Sequence, residues 1–345
     1  MATISYKYNP DLPIIKKGFK GNKFINGRYV NDPPRKTPSI SKILRWQLEG
    51  NPQAKEKKQD KFSVPVINNP DLFRTTDNCI AWLGHASFFI RINGVSLLTD
   101  PCLGNIALLK RLVGLPCAVS DIVGLDYLLI SHGHRDHFDR PSLKRILKHN
   151  PEVTFLAPLD LHPLIEKLPH PHYQTAGWYQ QYSLKEANLK ITFVPAIHWN
   201  KRGIRDYNDM LWGGFIIESL GTCIYFAGDT AYGNGQLFDD LSQLFDIDIA
   251  MLPIGAYKPA FLMKASHTNP QESVSLFNQL GAKTFIPMHY ATYDLSDEPI
   301  SEPIRTVQNL HKTGVLQGEL QDLAVGERFM FGQKNYQPLK QTNHH

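Results

Sequence analysis

Ten short apolar runs, each closed by polar or glycine-rich punctuation, constrain this chain more than any other feature. They are CIAWLG, SFFIRI, VSLLTD, YLLISH, VTFLAP, ITFVPAIH, GGFIIES, CIYFAGD, IAMLPIG and TFIPMH, spread from Cys79 to His289. Short runs rich in β-branched and aromatic residues read as strands. Helical patterns lie between several of them, in RPSLKRILKHN, DLHPLIEKL, GNGQLFDDLSQLF and NPQESVSLFNQLGA. Strands interleaved with helices make the fold class α/β, and the hairpin-like early strands argue against a simple Rossmann repeat. A strand-rich first half followed by a strand-rich second half suits two stacked sheets.

The residues that end these runs carry chemistry. VSLLTD ends at Asp100, YLLISH at His132, ITFVPAIH at His198, CIYFAGD at Asp229 and TFIPMH at His289. Loops at strand ends are where an α/β scaffold presents functional groups, so these five are candidates for one convergent site. ISHGHRDHFD (Ile130 to Asp139) adds an H-x-H-x-D-H cluster of His132, His134, Asp136 and His137. Alternation at 132, 134 and 136 predicts three side chains facing one way. A helix starting near Asp139, Arg140 and Pro141 lets His137 swing toward a second ion. Imidazole nitrogen and carboxylate oxygen are the usual non-sulfur ligands of zinc, and also suit manganese or iron. Counting His198, Asp229 and His289, the chain offers seven ligands. One catalytic ion does not need seven, whereas a two-metal site uses them naturally. His85, an isolated strand-end histidine, reads as structural.

Composition narrows the class. The 345 residues are 42% apolar and 20% charged, which suits a compact, enzyme-sized globular chain. The net charge of +5 comes from 37 basic and 32 acidic residues spread evenly, apart from KEKKQDK (Lys55 to Lys61), which reads as a solvated linker. Cys79, Cys102, Cys117 and Cys223 form no C-x-x-C pair, which fits a reduced intracellular protein and a cytoplasmic location. The N-terminus lacks the apolar core of a secretory signal. No window approaches the roughly 20 apolar residues of a spanning helix, so any membrane contact is expected to be peripheral. Residues 1–62 read as an arm with one anchoring helix, SISKILRWQLEG (Ser39 to Gly50), in which Ile40, Ile43, Leu44 and Leu48 recur at helical spacing. Residues 63–335 are expected to form the main domain, which carries the candidate ligands, and 336–345 a tail, whose final His344 and His345 stay outside the site argument.

ISHGHRDHFD resembles the metal-binding signature of the metallo-β-lactamase superfamily. More narrowly, the chain resembles the N-acylphosphatidylethanolamine-hydrolysing phospholipase D family and its bacterial relatives. The matching segments are WLGHAS, LLTDP, ISHGHRDHFD, HWNKR, LWGGF, YFAGDT, PIGAYKP, FLMKASHTNPQESV and IPMHYAT, in the family's order from about residue 79 to 293. The LRW segment of the arm is similar to the family's N-terminal extension. The resemblance implies a four-layer αβ/βα sandwich of two mixed β-sheets flanked by helices, with two divalent ions, zinc first and manganese or iron as alternatives. It implies that His132, His134 and His198 hold one ion, that Asp136, His137 and His289 hold the other, and that Asp229 bridges them. Asp100 matches the superfamily's outer carboxylate, which orients a ligand imidazole. His267, in SHTNP, matches a phosphate-contacting histidine. After LLTDP the chain departs from the family: CLGNIALLKRLVGLPCAVSDIVGLD replaces an Arg- and Pro-bearing loop.

The expected activity is hydrolysis by a metal-bridging hydroxide, with Asp136 accepting its proton and His267 neutralising a phosphodiester oxygen. The expected substrate is a small-molecule or lipid phosphodiester of the N-acylphosphatidylethanolamine kind. The loop 103–117 and Trp199, Tyr207, Trp212, Tyr257, Phe261 and Tyr290 are candidates to line an acyl pocket. The alternatives are a lactone or carboxylic ester hydrolase resembling sugar-phosphate lactonases, and a non-catalytic metal-binding interaction protein. The complete ligand set argues against the last. A homodimer and peripheral membrane contact are the expected associations. No nucleic acid is expected, since no basic arm with interleaved aromatics stands out.

Overall fold

The computed structural model describes residues 3–31, 39–169 and 171–332, except the side chains at 40, 43 and 47. The tail at 336–345 and the side chains of Ile40 and Ile43 therefore lie outside the described residues. The arm supplies β1 (Ile4–Lys7), β2 (Asn22–Ile25) and β3 (Arg28–Tyr29), a small antiparallel sheet, then α1 (Ile40–Glu49) and α2 (Ala54–Gln59). The first half of the domain follows with β4 (Cys79–Trp82), β5 (Phe88–Ile92), β6 (Val95–Thr99), β7 (Tyr127–Leu129), α3 (Arg140–Leu147), β8 (Thr154–Pro158), α4 (His162–Ile165) and β9 (His172–Ala176). The second half runs through β10 (Gln180–Gln181), β11 (Leu189–Val194), β12 (Gly214–Ser219), β13 (Thr222–Phe226), α5 (Gln236–Leu244), β14 (Ile249–Pro253), α6 (Ala260–Met263), α7 (Pro270–Leu280), β15 (Thr284–Met288), α8 (Glu302–Lys312), β16 (Glu319–Leu320) and β17 (Arg328–Met330).

Two seven-stranded sheets result, ordered β17-β4-β5-β6-β7-β8-β9 and β10-β11-β12-β13-β14-β15-β16. Both are mixed. Strands β4 to β6 and β10 to β13 pair antiparallel, while β6 to β9 and β13 to β16 pair parallel.

Side-chain alternation along single strands explains the layering. In β4, Ile80 and Trp82 enter the core shared with Phe193, Phe215, Phe226 and Ile286 of the second sheet. Cys79 and Ala81 instead join Leu143, Ile146 and Leu147 of α3. Phe88 and Ile90 against Phe89 repeat the pattern in β5. A strand with period two and apolar residues at both parities must be covered on both faces. Helix α7 covers the second sheet through β14 and packs between α5 and α8. The outcome is the four-layer sandwich.

The arm differs from its sequence reading in two places. KEKKQDK is not a bare linker: most of it is α2, with Lys57 paired to Asp294 and donating to the Ser296 carbonyl. The 39–50 helix forms, but Leu44 and Leu48 are exposed, and Trp46 makes the tether by donating to Asp297 Oδ2 at 2.8 Å. Trp82 joins the interior to the site: it is buried, stacks on Tyr290 at 5.0 Å and donates to the His85 carbonyl at 2.9 Å. Trp82→Ala is expected to cost about 3–5 kcal/mol in denaturant unfolding, the range for emptying a large aromatic site in a packed core.

Candidate metal centre

Five strands end at one edge of the sandwich. Asp100 follows β6, His132 follows β7, His198 follows β11, Asp229 follows β13 and His289 follows β15. Gly228 enables the turn before Asp229. It has φ +59°, and a Cβ there would lie 2.8 Å from both the Gly213 carbonyl oxygen and Ser131 Cβ. The chain also turns directly after His134, because the amides of His137 and Phe138 donate to the His134 carbonyl at 3.2 and 2.8 Å. This corrects the alternation reading of 132, 134 and 136. The turn carries Asp136 away from the other two and groups it with His137.

Two sets of donors result. His132, His134, His198 and Asp229 bring ligand atoms within 4.8 Å of one another, and so do His85, Asp136, His137 and His289. Asp229 lies between them. Its Oδ2 is 3.2 Å from His137 Nε2, 3.7 Å from His198 Nε2 and 3.9 Å from His132 Nε2, while its Oδ1 is 3.2 Å from His289 Nε2. His134 Nε2, His137 Nε2, both ring nitrogens of His289 and Asp229 Oδ1 are buried without a hydrogen-bond partner among the described residues. Leaving so many polar atoms unsatisfied is costly in a protein interior, and a cation between them satisfies several at once. The donor set therefore fits divalent metal.

Electrostatics agree. Burial pushes His132 and His198 well below the ordinary imidazole value and His134 down to about 4, so these three are neutral, as ligation requires. Burial opposes the charge on Asp136 and Asp229, but nearby imidazoles, His137 foremost, hold both well below the carboxylate range. For His289 burial acts downward and the Asp229 and Asp136 carboxylates outweigh it, raising the ring to about 9. Without an ion, protons on the imidazoles balance the carboxylates.

Outer contacts fix the donors. Asp100 Oδ2 accepts from His137 Nδ1 at 2.7 Å, and the Ser131 hydroxyl links Asp100 to His132 Nδ1 at 2.9 Å. Asn31, at the end of the arm strands, latches the main chain of His198. Its Nδ2 donates to the His198 carbonyl at 2.8 Å, and its Oδ1 accepts the His198 amide at 3.2 Å. His198 Nδ1 meets the Ser266 carbonyl at 2.9 Å. His85, Asp100 and His289 all have positive φ, at 56°, 31° and 61°. Such backbone costs roughly 1–3 kcal/mol per residue and persists where surrounding bonds over-determine it. Here the His289 amide donates to the His85 carbonyl at 3.1 Å, and the His85 amide to Thr292 Oγ1 at 2.6 Å.

All seven metal candidates from the sequence converge, and so does His267, whose Nδ1 is 3.9 Å from Asp229 Oδ2 and has no hydrogen-bond partner among the described residues. Burial pushes His267 down to about 4, so its imidazole is neutral. His85 belongs to the site although its sequence reading was structural: its Nε2 is 3.1 Å from Asp136 Oδ2 and its ring 4.0 Å from that of His289. Its signal was weak, a lone histidine after a strand. The arm's part through Asn31 had no sequence signal. Of the aromatics proposed for an acyl pocket, Trp199 lies 4.6 Å from the His134 ring, whereas Trp212 is fully buried in the core and Tyr290 is stacked beneath Trp82. Leu108, Leu109 and Leu112 of the 103–117 loop are exposed.

Residues 96–290 match the family model described as Beta-lactamase superfamily domain. The chain belongs to the beta-lactamase superfamily. Within it, the chain is 28% identical over 299 residues to N-acyl-phosphatidylethanolamine-hydrolyzing phospholipase D 1 of Caenorhabditis elegans, covering 78% of this chain and 82% of that protein. It is 30% identical over 243 residues to the mitochondrial N-acyl-phosphatidylethanolamine-hydrolyzing phospholipase D of Saccharomyces cerevisiae, covering 68% of this chain and about half, 52%, of that protein. The structure of Igni18, a metallo hydrolase from Ignicoccus hospitalis, superposes with a TM-score of 0.58 at 21% identity, over 74% of this chain and 99% of that one, and so shares the fold. This superfamily member is a metal-dependent hydrolase with His/Asp clusters that could bind metal. Removing an outer contact should loosen the ion it serves. Asn31→Ala and Asp100→Ala are each expected to weaken metal retention about 10–100-fold in a competitive chelator titration.

Proposed function

We propose that the chain is a phosphodiesterase of phospholipase D type, acting on N-acylphosphatidylethanolamine-like or related phosphodiesters through two divalent cations, zinc first. His132, His134 and His198 would hold one ion and Asp136, His137 and His289 the other, with Asp229 shared. The observation that carries the reading is the buried Asp229 carboxylate between the clustered His132, His134 and His198 nitrogens on one side and the unpartnered Nε2 atoms of His137 and His289 on the other, in a chain whose relatives include two phospholipases of this type. Cations held there supply a water acidic enough to ionise near neutral pH and a positive field on the oxygen that gains charge.

The protein groups divide the remaining work. Asp136 is ionised, held by His85 Nε2 and 19% exposed, so it can orient a water at the open side of the site by accepting its hydrogen bond. His267, neutral with Nδ1 directed inward, can donate a hydrogen bond to a phosphoryl oxygen. No side-chain nucleophile is needed: Cys102, in the loop after Asp100, is buried against the Tyr293 hydroxyl, and burial raises it far above neutrality.

Metal analysis of the purified protein is expected to give about two equivalents of transition metal per chain, and chelation to abolish hydrolysis. Asp229→Asn should lower turnover of a generic phosphodiester by at least about a thousandfold while leaving thermal unfolding within a few degrees of wild type. A side-by-side screen of the metal-loaded protein against N-acyl phospholipids, simple phosphodiesters and lactones tests the substrate class. Turnover of lactones without any of phosphodiesters would replace this reading with the ester hydrolase one.

A further inference from the structure

His289 opens the stretch 289–301, which lies between β15 and α8 and forms neither helix nor strand. Two of its first three residues are left-handed without being glycine, His289 at φ 61° and Ala291 at φ 52°. Such backbone keeps its shape only where surrounding bonds hold it. A void of about 20 Å³, lined by His289, Tyr293, Leu295 and Glu298 among others, lies against this stretch, so contacts on that side are incomplete. Main-chain bonds to the domain flank the weak part. The Thr292 carbonyl accepts the Leu112 amide at 2.9 Å, and the Asp297 amide donates to the Lys258 carbonyl at 3.1 Å.

The arm grips what lies between and just beyond. Trp46 Nε1 donates to Asp297 Oδ2 and Asn51 Nδ2 to the Asp297 carbonyl, both at 2.8 Å. Lys57 pairs with Asp294 and donates to the Ser296 carbonyl, and Asp60 Oδ2 accepts the Ser301 amide at 2.7 Å. These contacts are polar. Helix α2 buries no side chain, and Leu44 and Leu48 of α1 are exposed, so the two helices add little to the core. Polar contacts aimed at one loop act on the order of that loop rather than on global stability. Asn31, earlier in the arm, holds the main chain of His198 in the other donor set. The two parts of the arm therefore reach different sets of ligands.

We propose that Trp46, Asn51 and Lys57 are positioning residues for the second ion, acting through 294–297 on His289, while Asn31 serves the first ion through His198. The inference rests on the two-ion reading above. Without the grip, the stretch relaxes from its left-handed start, and His289 has to be ordered again when an ion binds. That ordering cost is read as weaker affinity for one ion. General support of the fold would act differently, lowering the unfolding temperature and loosening both ions together.

A competitive chelator titration of the full-length, zinc-loaded chain tests this, read as two release steps, with thermal unfolding of the metal-free chain recorded alongside. His289→Ala marks the step that belongs to the second ion. Trp46→Phe/Asn51→Ala deletes both hydrogen bonds to Asp297, and Lys57→Met deletes both contacts of Lys57. Each should weaken the marked step about tenfold and leave the other step and the metal-free unfolding temperature unchanged. Lys57→Arg, which keeps the charge and the donors, should retain both ions as the wild type does, and Asn31→Ala should weaken the other step instead. Two wild-type steps with the marked one unmoved in both variants would overturn the proposal and leave the two-ion reading standing. Equal loosening of both steps with a lowered unfolding temperature would do the same. A wild type that retains fewer than two ions would overturn both.

Discussion

A carboxylate sealed from water needs compensating partners beside it, and at Asp229 the fold supplies five imidazoles, of which His137 and His289 are held in the charged form by the neighbouring carboxylates. The side chain is only 2% exposed, and its oxygens lie between 3.2 and 3.9 Å from His132, His137, His198, His267 and His289. Burying such a charge unpaired costs several kcal/mol. The cost is met only if strands from both sheets end at one edge, with the sandwich interior packed tightly enough to hold them there. The wall of Trp82, Phe88, Phe215 and Phe226 does that holding. The same low-dielectric surroundings keep His132, His134 and His198 unprotonated and ready to bind a cation.

Support for the site comes from parts of the chain that hold no candidate ligand. The arm reaches back through Asn31 to fix the main chain of His198, and Tyr29 anchors the arm by donating to Asp160 Oδ2 at 2.7 Å. Arg202 secures the other side, donating to the carbonyls of Gly133 and Phe138 at 2.9 Å each and so closing the turn that separates Asp136 from His134. Arg202 also lines a surface cleft with Arg135, Arg140 and Lys144. One guanidinium therefore ties the shape of the metal loop to the surface beside it.

Much of the site was legible because its ligands sit at the ends of recognisable strands. Apolar runs ending in His or Asp announce both where a strand stops and what it delivers. Legibility failed where the information lies between segments. Asn31 is more than 160 residues from His198, and nothing near it marks a polar latch. His85 looked structural because its meaning comes from Asp136 and His289, which meet it only across the fold. The alternation argument failed at Asp136 because a turn needs hydrogen bonds from later amides, which a period-two pattern does not register. The leucines of the 103–117 loop were read as pocket lining from their hydropathy, yet the loop is pinned by Arg111, which donates to the Cys102 carbonyl at 2.8 Å, and by Tyr293, which donates to Gly104 at 2.6 Å. Those anchors turn Leu108 outward.

The sequence by itself determined which chemistry the chain can hold: seven imidazole and carboxylate donors at strand ends, and residues apolar on both parities that require covered sheets. Residue type and local period carry that information, because ligand chemistry and strand pleating are short-range properties. Only the tertiary structure decided how the donors divide into two sets around Asp229, which distant side chains orient them, and which apolar residues stay outside. Those outcomes depend on distances between segments far apart in the chain, and packing alone sets such distances.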